Sequence, residues 1–188
     1  MTLSLRALSV AAMLTVASLG GAIAQDNPQV GGAAMFADKN IVENAVNSAD
    51  HTTLVAAVQA AGLIETLSGE GPFTVLAPVN AAFDALPAGT VETLLKPENK
   101  DTLSTILACH VIPAKALSTD IVGMVEADGG EHIVDTVGGC KLSLKAADGK
   151  VTVTDENGTV ANVTIADVIQ SNGVIHVIDA VLTPKSAM

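Results

Sequence analysis

The sequence predicts an α+β fold, and three observations predict it. Apolar residues recur at helical spacing through most of the first half. They alternate through the second half, and Asp-Gly or Asn-Gly pairs punctuate that alternation. Helices first and strands later argue against a parallel doubly wound sheet.

Residues 1–24 stand apart from the fold. Arg6 is followed by the apolar run "ALSVAAMLTVASLGGAIA", which closes on Ala22-Ile23-Ala24, a small-x-small cleavage pattern. This reads as a cleaved secretory signal, the alternative being an uncleaved N-terminal anchor. Residues 25–35 are polar, with Pro and Gly, and read as a flexible lead-in. Residues 36–185 then form a single domain, long enough to bury a real core.

In "NIVENAVNSA", Ile41, Val42, Ala45 and Val46 share helical spacing. Asp50 is placed to cap "HTTLVAAVQAA", whose stripe is Leu54, Val55 and Val58, and Gly62 suits its C-terminus. "LIETLSG" adds another turn or two, and "GEGP" then breaks the chain. "FTVLA", with Thr74, is a short strand, followed by short helices in "NAAFDAL" and "GTVETLLKP". Leu103, Ile106 and Leu107 mark one face of the helix in "ENKDTLSTILACHVI". Four strands close the chain as a meander: "CKLSLKA", "KVTVTD", "TVANVTIADVIQ" and "VIHVIDAVL". Turns are expected at Asp148-Gly149, Asn157-Gly158 and Asn172-Gly173.

Composition narrows the partners. Without Arg6 the chain carries eight basic and twenty acidic residues, a net charge of −12. Such a surface repels phosphate backbones and anionic bilayers, so neither nucleic acid nor membrane insertion after signal cleavage is expected. Three Phe, with no Trp or Tyr, leave little for stacking on bases or sugars. Cys109 and Cys140 suit one disulfide in an exported chain, or else two buried small hydrophobes.

No catalytic constellation emerges. His51, His110, His132 and His176 make no metal-ligand spacing with another His, Cys or acid. Cys109 and His110 are adjacent, which is poor geometry for a thiol–imidazole pair. Ser68 lacks the Gly-x-Ser-x-Gly elbow. There is no phosphate loop, and no cofactor is expected. His176 alternates onto an apolar face with Val174 and Ile178, where a histidine is ordinarily a core residue with a backbone partner. His110, after an apolar helix, has the same explanation. Asn157-Gly158-Thr159 and Asn162-Val163-Thr164 match glycosylation acceptors, the first being better explained as a turn.

At "TVLAPVNAAF", Pro78 stops a strand ladder, Asn80 can accept from the first amides of the next helix, and Phe83 plugs the core. "GPFTVLAPVNAAFDALPAGTVETLL" resembles the first signature block of the fasciclin domain family. "SNGVIHVIDAVLTP" resembles its second block, and "ILACHVIP" lies where the family carries a Tyr-His pair. The resemblance runs from about Phe36 to Lys185. It implies two β-sheets in a wedge or twisted sandwich with several α-helices alongside, in an exported or surface-held module without enzyme activity. It gives structural roles to Thr74, Pro78, Asn80, Phe83, His110, Asn172, Gly173 and His176.

In some animal members an Asp-Ile pair before the second block and the Tyr-His region are linked to receptor binding. Asp167-Val168 and Cys109-His110 stand at those places, making Asp167, Val168 and His110 the candidate interaction residues. Val79 replaces a frequent Thr, Val168 replaces Ile, and Cys109 replaces Tyr. These departures argue against transferring the receptor role. The last one strengthens a Cys109–Cys140 bridge.

Two functions follow. The first is an exported adhesion or interaction module, periplasmic, extracellular or surface-held. It would bind a protein or polysaccharide at the cell surface or matrix, with weak self-association supplying avidity. The second is a soluble cell-envelope protein binding a small apolar ligand. A pocket above about 300 Å³ would support the second, and a filled core would remove it.

Overall fold

The computed structural model describes residues 27–185, so the expected signal segment lies outside the described residues. The stretch expected to be a flexible lead-in is instead a small hairpin. Strands β1 (Gln29–Val30) and β2 (Ala33–Ala34) pair antiparallel across Gly31-Gly32. The two glycines that suggested flexibility adopt positive φ in a tight turn, and Val30 and Met35 are buried in the main core.

Helix α1 (Ile41–Ala45) is followed by a 3₁₀ turn (Ala49–His51) and by α2 (Thr52–Ala61). Leu54, Ala57, Val58 and Ala61 bury one side of α2, and Gly62 ends it in the left-handed region at φ 75°. Asp50 does not cap α2: it lies within the 3₁₀ turn, which positions no side-chain cap. The cap comes from far along the chain, because Thr53 N donates to Asn80 Oδ1 at 3.0 Å. Asn80 also donates to the Ala49 carbonyl at 2.9 Å. It therefore secures the start of α2, not the start of its own helix.

Helix α3 (Ile64–Leu67) leads to strand β3 (Phe73–Pro78), which ends at Pro78 as expected. Helices α4 (Asn80–Asp84), α5 (Thr90–Leu94) and α6 (Lys100–Ala108) follow, with Leu103, Ile106 and Leu107 buried on α6. Strand β4 (Val111–Ile112), helix α7 (Ser118–Ala127) and strand β5 (His132–Asp135) are not evident from the sequence. Gly123 dilutes the α7 pattern, yet Ile121 and Val125, one turn apart, are both buried.

The predicted meander is β6 (Lys141–Ala147), β7 (Lys150–Thr154), β8 (Val160–Gln170) and β9 (Gly173–Ile178). Asp148 and Gly149, at φ 52° and 74°, make the turn their sequence predicts. Asn172-Gly173 behaves differently. The turn is Ser171-Asn172, and Gly173 opens β9 without a positive φ. Its lack of a side chain serves close approach: a Cβ there would meet Phe73 O at 2.1 Å.

The seven main strands run in the order β4-β3-β9-β8-β7-β6-β5. β9 pairs parallel with β3, from Phe73↔Gly173 to Pro78↔Ile178, tying the end of the domain to its middle. β8 joins the two halves of the ladder and carries register shifts between Val163 and Val168. Irregularities of this kind bend a strand, so one ladder supplies both expected layers. Val75, Ala77, Ile175 and Val177 face the core built on α2 and α6. Leu76 and Ile178 face a second core of α7, β6 and β7. The β3–β9 pair is therefore buried on both sides.

Cys109, at the end of α6, and Cys140, before β6, form a disulfide with Cα atoms 5.4 Å apart and a sequence separation of 31. Closing such a loop is worth on the order of 3 kcal/mol in the chain-entropy model.

Candidate functional site

Thr74, Asp167 and His176 meet around the segment before α7. Thr74 Oγ1 donates to Ala114 O at 2.6 Å and accepts from Ala116 N at 2.9 Å. His176 Nε2 donates to Ala116 O at 2.9 Å, and Asp167 N donates to His176 Nδ1 at 3.3 Å. Those partners set a neutral imidazole with its proton on Nε2. Burial lowers the His176 pKa, against the Ala116 carbonyl and the Asp167 carboxylate, which raise it.

Asp167 stands in the left-handed region at φ 59° and turns its carboxylate to Ser118. Ser118 N donates to Oδ1 at 2.7 Å, and the Ser118 hydroxyl donates to Oδ2. A distant carboxylate thus holds the first residue of α7. Val168 is fully buried. Asp167 is half-buried, with each carboxylate oxygen accepting from Ser118.

His110 is equally committed. Its Nδ1 donates to Ile106 O at 2.9 Å, and Leu182 N donates to its Nε2 at 3.0 Å. Burial lowers its pKa to about 4, against the Ile106 carbonyl and Asp155. The folded value lies below the ordinary 6.5 of an unfolded chain, so the unfolded state binds the proton first as pH falls. Full stability holds above about 6.5 and is lost progressively towards pH 4, by roughly 3 kcal/mol for this group. Denaturant midpoints at pH 7, 5.5 and 4 should trace that decline, to which His51 and His176 add because burial lowers their pKa too, and His110→Gln should make it shallower. An unchanged slope in the variant would show that His110 does not carry it.

The third buried histidine differs. His51 is 3 % exposed, and its Nδ1 lies 2.8 Å from Ser48 Oγ. Its Nε2 is buried with no hydrogen-bond partner among the described residues. Burial lowers its pKa, while a hydrogen-bonding approach to the Ala77 backbone and the Asp50 carboxylate raise it. The Ala77 contact falls short of full hydrogen-bond geometry, so Nε2 has no complete partner among the described residues. His51 lines an apolar cavity of about 60 Å³ between α1, α2, α3 and the β3–β9 face. That volume falls well short of the 300 Å³ threshold set for a typical ligand pocket.

Asn44 and Asp155 are among the buried polar groups that the sequence does not single out. Asn44 Nδ2 donates to Phe36 O at 2.7 Å and to Gln170 Oε1, and Asn44 Oδ1 accepts from Phe36 N at 3.0 Å. Asn44 follows Ile41 by three positions, so a polar residue on an apolar stripe was the available signal. Asp155, also buried, accepts from Asn157 N, Thr159 N and Thr183 N. It closes the Asn157-Gly158 loop and pins the segment after β9.

Residues 49–184 match the Fasciclin domain family. The chain belongs to the fasciclin domain family. Protein sll1483 of Synechocystis sp. is 48% identical over 172 residues, covering 92% of this chain and 88% of that protein. Transforming growth factor-beta-induced protein ig-h3 of Sus scrofa is 40% identical over 133 residues. That match covers 71% of this chain but 17% of the relative. A solved FAS1 domain pair from the insect cell adhesion molecule Fasciclin I has a TM-score of 0.70 at 18% identity. It covers 79% of this chain and 52% of that one. At that identity the likeness concerns the fold alone. Within this fasciclin domain, Asn172 lies between β8 and β9 and Gly173 opens β9, while Asn80 and Phe83 lie on α4.

Proposed function

We propose that this protein is an exported, non-enzymatic interaction module of the fasciclin type, binding a protein or polysaccharide at the cell surface or matrix. Family membership over residues 49–184 carries this reading. His110 and His176 spend both ring nitrogens on backbone partners, which supports a structural use of those side chains. A surface of net charge −12 favours partners that tolerate or pair with acid.

The test is a pull-down with the chain from Gln25 onward against its own envelope extract and purified matrix components. Each captured species is then titrated at low and moderate salt. Saturable binding to a protein or polysaccharide, weakening with salt, is expected. No saturable macromolecular partner would overturn the reading. A second reading, binding of a small apolar molecule, does not meet the volume of a typical ligand pocket and is favoured only by the incompletely bonded His51 Nε2 beside the apolar cavity.

A further inference from the structure

The cavity walls include Val42, Leu54, Val58, Leu67 and Val168, all aliphatic. Val46 and Ile64 also line it and are 52% and 37% exposed, so apolar surface continues outward to solvent. Among its polar liners, His110 has both nitrogens bound and Gln59 is exposed. Ser48 and His51 bond to each other. That leaves His51 Nε2 as a buried polar atom with no complete hydrogen bond among the described residues, the Ala77 backbone acting on the ring without full hydrogen-bond geometry. An unmet buried polar group is costly, and a bound partner would relieve that cost.

We propose that this cavity takes the end of an unbranched aliphatic chain whose leading hydroxyl or carbonyl oxygen hydrogen-bonds to His51 Nε2. The proposal rests on the second reading above. About 60 Å³ admits a slender chain but not a fused-ring body, and the exposed Val46 and Ile64 can cover the trailing methylenes. The oxygen is neutral, because a carboxylate among aliphatic walls would lose its hydration without a cation to replace it. A hydroxyl serves either tautomer of His51. It accepts if Ser48 donates to Nδ1 and leaves the proton on Nε2, and it donates in the opposite case.

Hexan-1-ol and 1-chlorohexane, titrated into the isotope-labelled chain from Gln25 onward, provide the test. Methyl shifts of Val42, Leu54 and Val58 locate binding, and the His51 Nε2 nitrogen shift reports the hydrogen bond. The alcohol should bind saturably, roughly tenfold tighter than the chloride, with a shift at Nε2. His51→Phe should equalise the two ligands. Ala45→Phe, at the half-buried rim, should weaken both and keeps the test available if His51→Phe does not fold. Equal affinities in the unaltered protein with a silent Nε2 would overturn the proposal and leave the apolar-ligand reading standing. No binding of either ligand would overturn both.

Discussion

Replacing Asn172 by alanine is expected to destabilise the protein by about 3–5 kcal/mol, because one buried amide satisfies three backbone groups. Its Oδ1 accepts from Ile41 N at 3.0 Å, 131 residues away. Its Nδ2 donates to Leu67 O and Gly69 O, each at 2.8 Å. Removing the amide strands backbone groups of Ile41 at the start of α1 and Leu67 at the end of α3, both buried, and of half-buried Gly69 in the loop before β3. Asn172→Asp keeps the acceptor but sets a buried carboxylate oxygen against the Leu67 and Gly69 carbonyls, so it should cost at least as much as the alanine variant. Denaturant midpoints at pH 7 decide it. A loss under 1 kcal/mol would show that these segments are held by other means.

The same residue shows where sequence reading stops. Periodicity marked α2 and α6, and alternation marked the meander, because those signals are local and repeat every few residues. Gly62 and Asp148-Gly149 were legible for a similar reason: each answers to the φ of its own backbone. Asn80 was recognised as a capping residue, but the helix it caps begins 28 positions earlier, and spacing cannot reveal that. β4 and β5, at two and four residues, are too short to show a period. The hairpin of residues 29–34 hid behind a composition that linkers share.

The histidines divide along the same line. A histidine on an apolar face announces itself as buried, which was legible for His176. Whether its nitrogens find partners depends on residues brought in by the fold: Ala116 and Asp167 for His176, Ile106 and Leu182 for His110. For His51 the fold supplies Ser48 and an approach to the Ala77 backbone that falls short of a full hydrogen bond.

Phe83→Ala should cost about 3–5 kcal/mol, the range for removing a large side chain from a packed core. Phe83 is 8 % exposed on α4, within the core that also holds Leu54, Val58 and Val177. The chain has only three aromatic residues, and Phe36 is 40 % exposed. The surrounding residues are mostly aliphatic and alanine, with little bulk to fill the void. Phe83→Leu, keeping most of the volume, should cost less than about 1.5 kcal/mol. Together the two variants separate volume from mere hydrophobicity. If both lose the same amount, ring shape governs the site. If alanine loses under 1 kcal/mol, the core closes over the gap and Phe83 is not the plug. If alanine alone is severe, Phe83 is the bulk that sets α4 against α2 and β3.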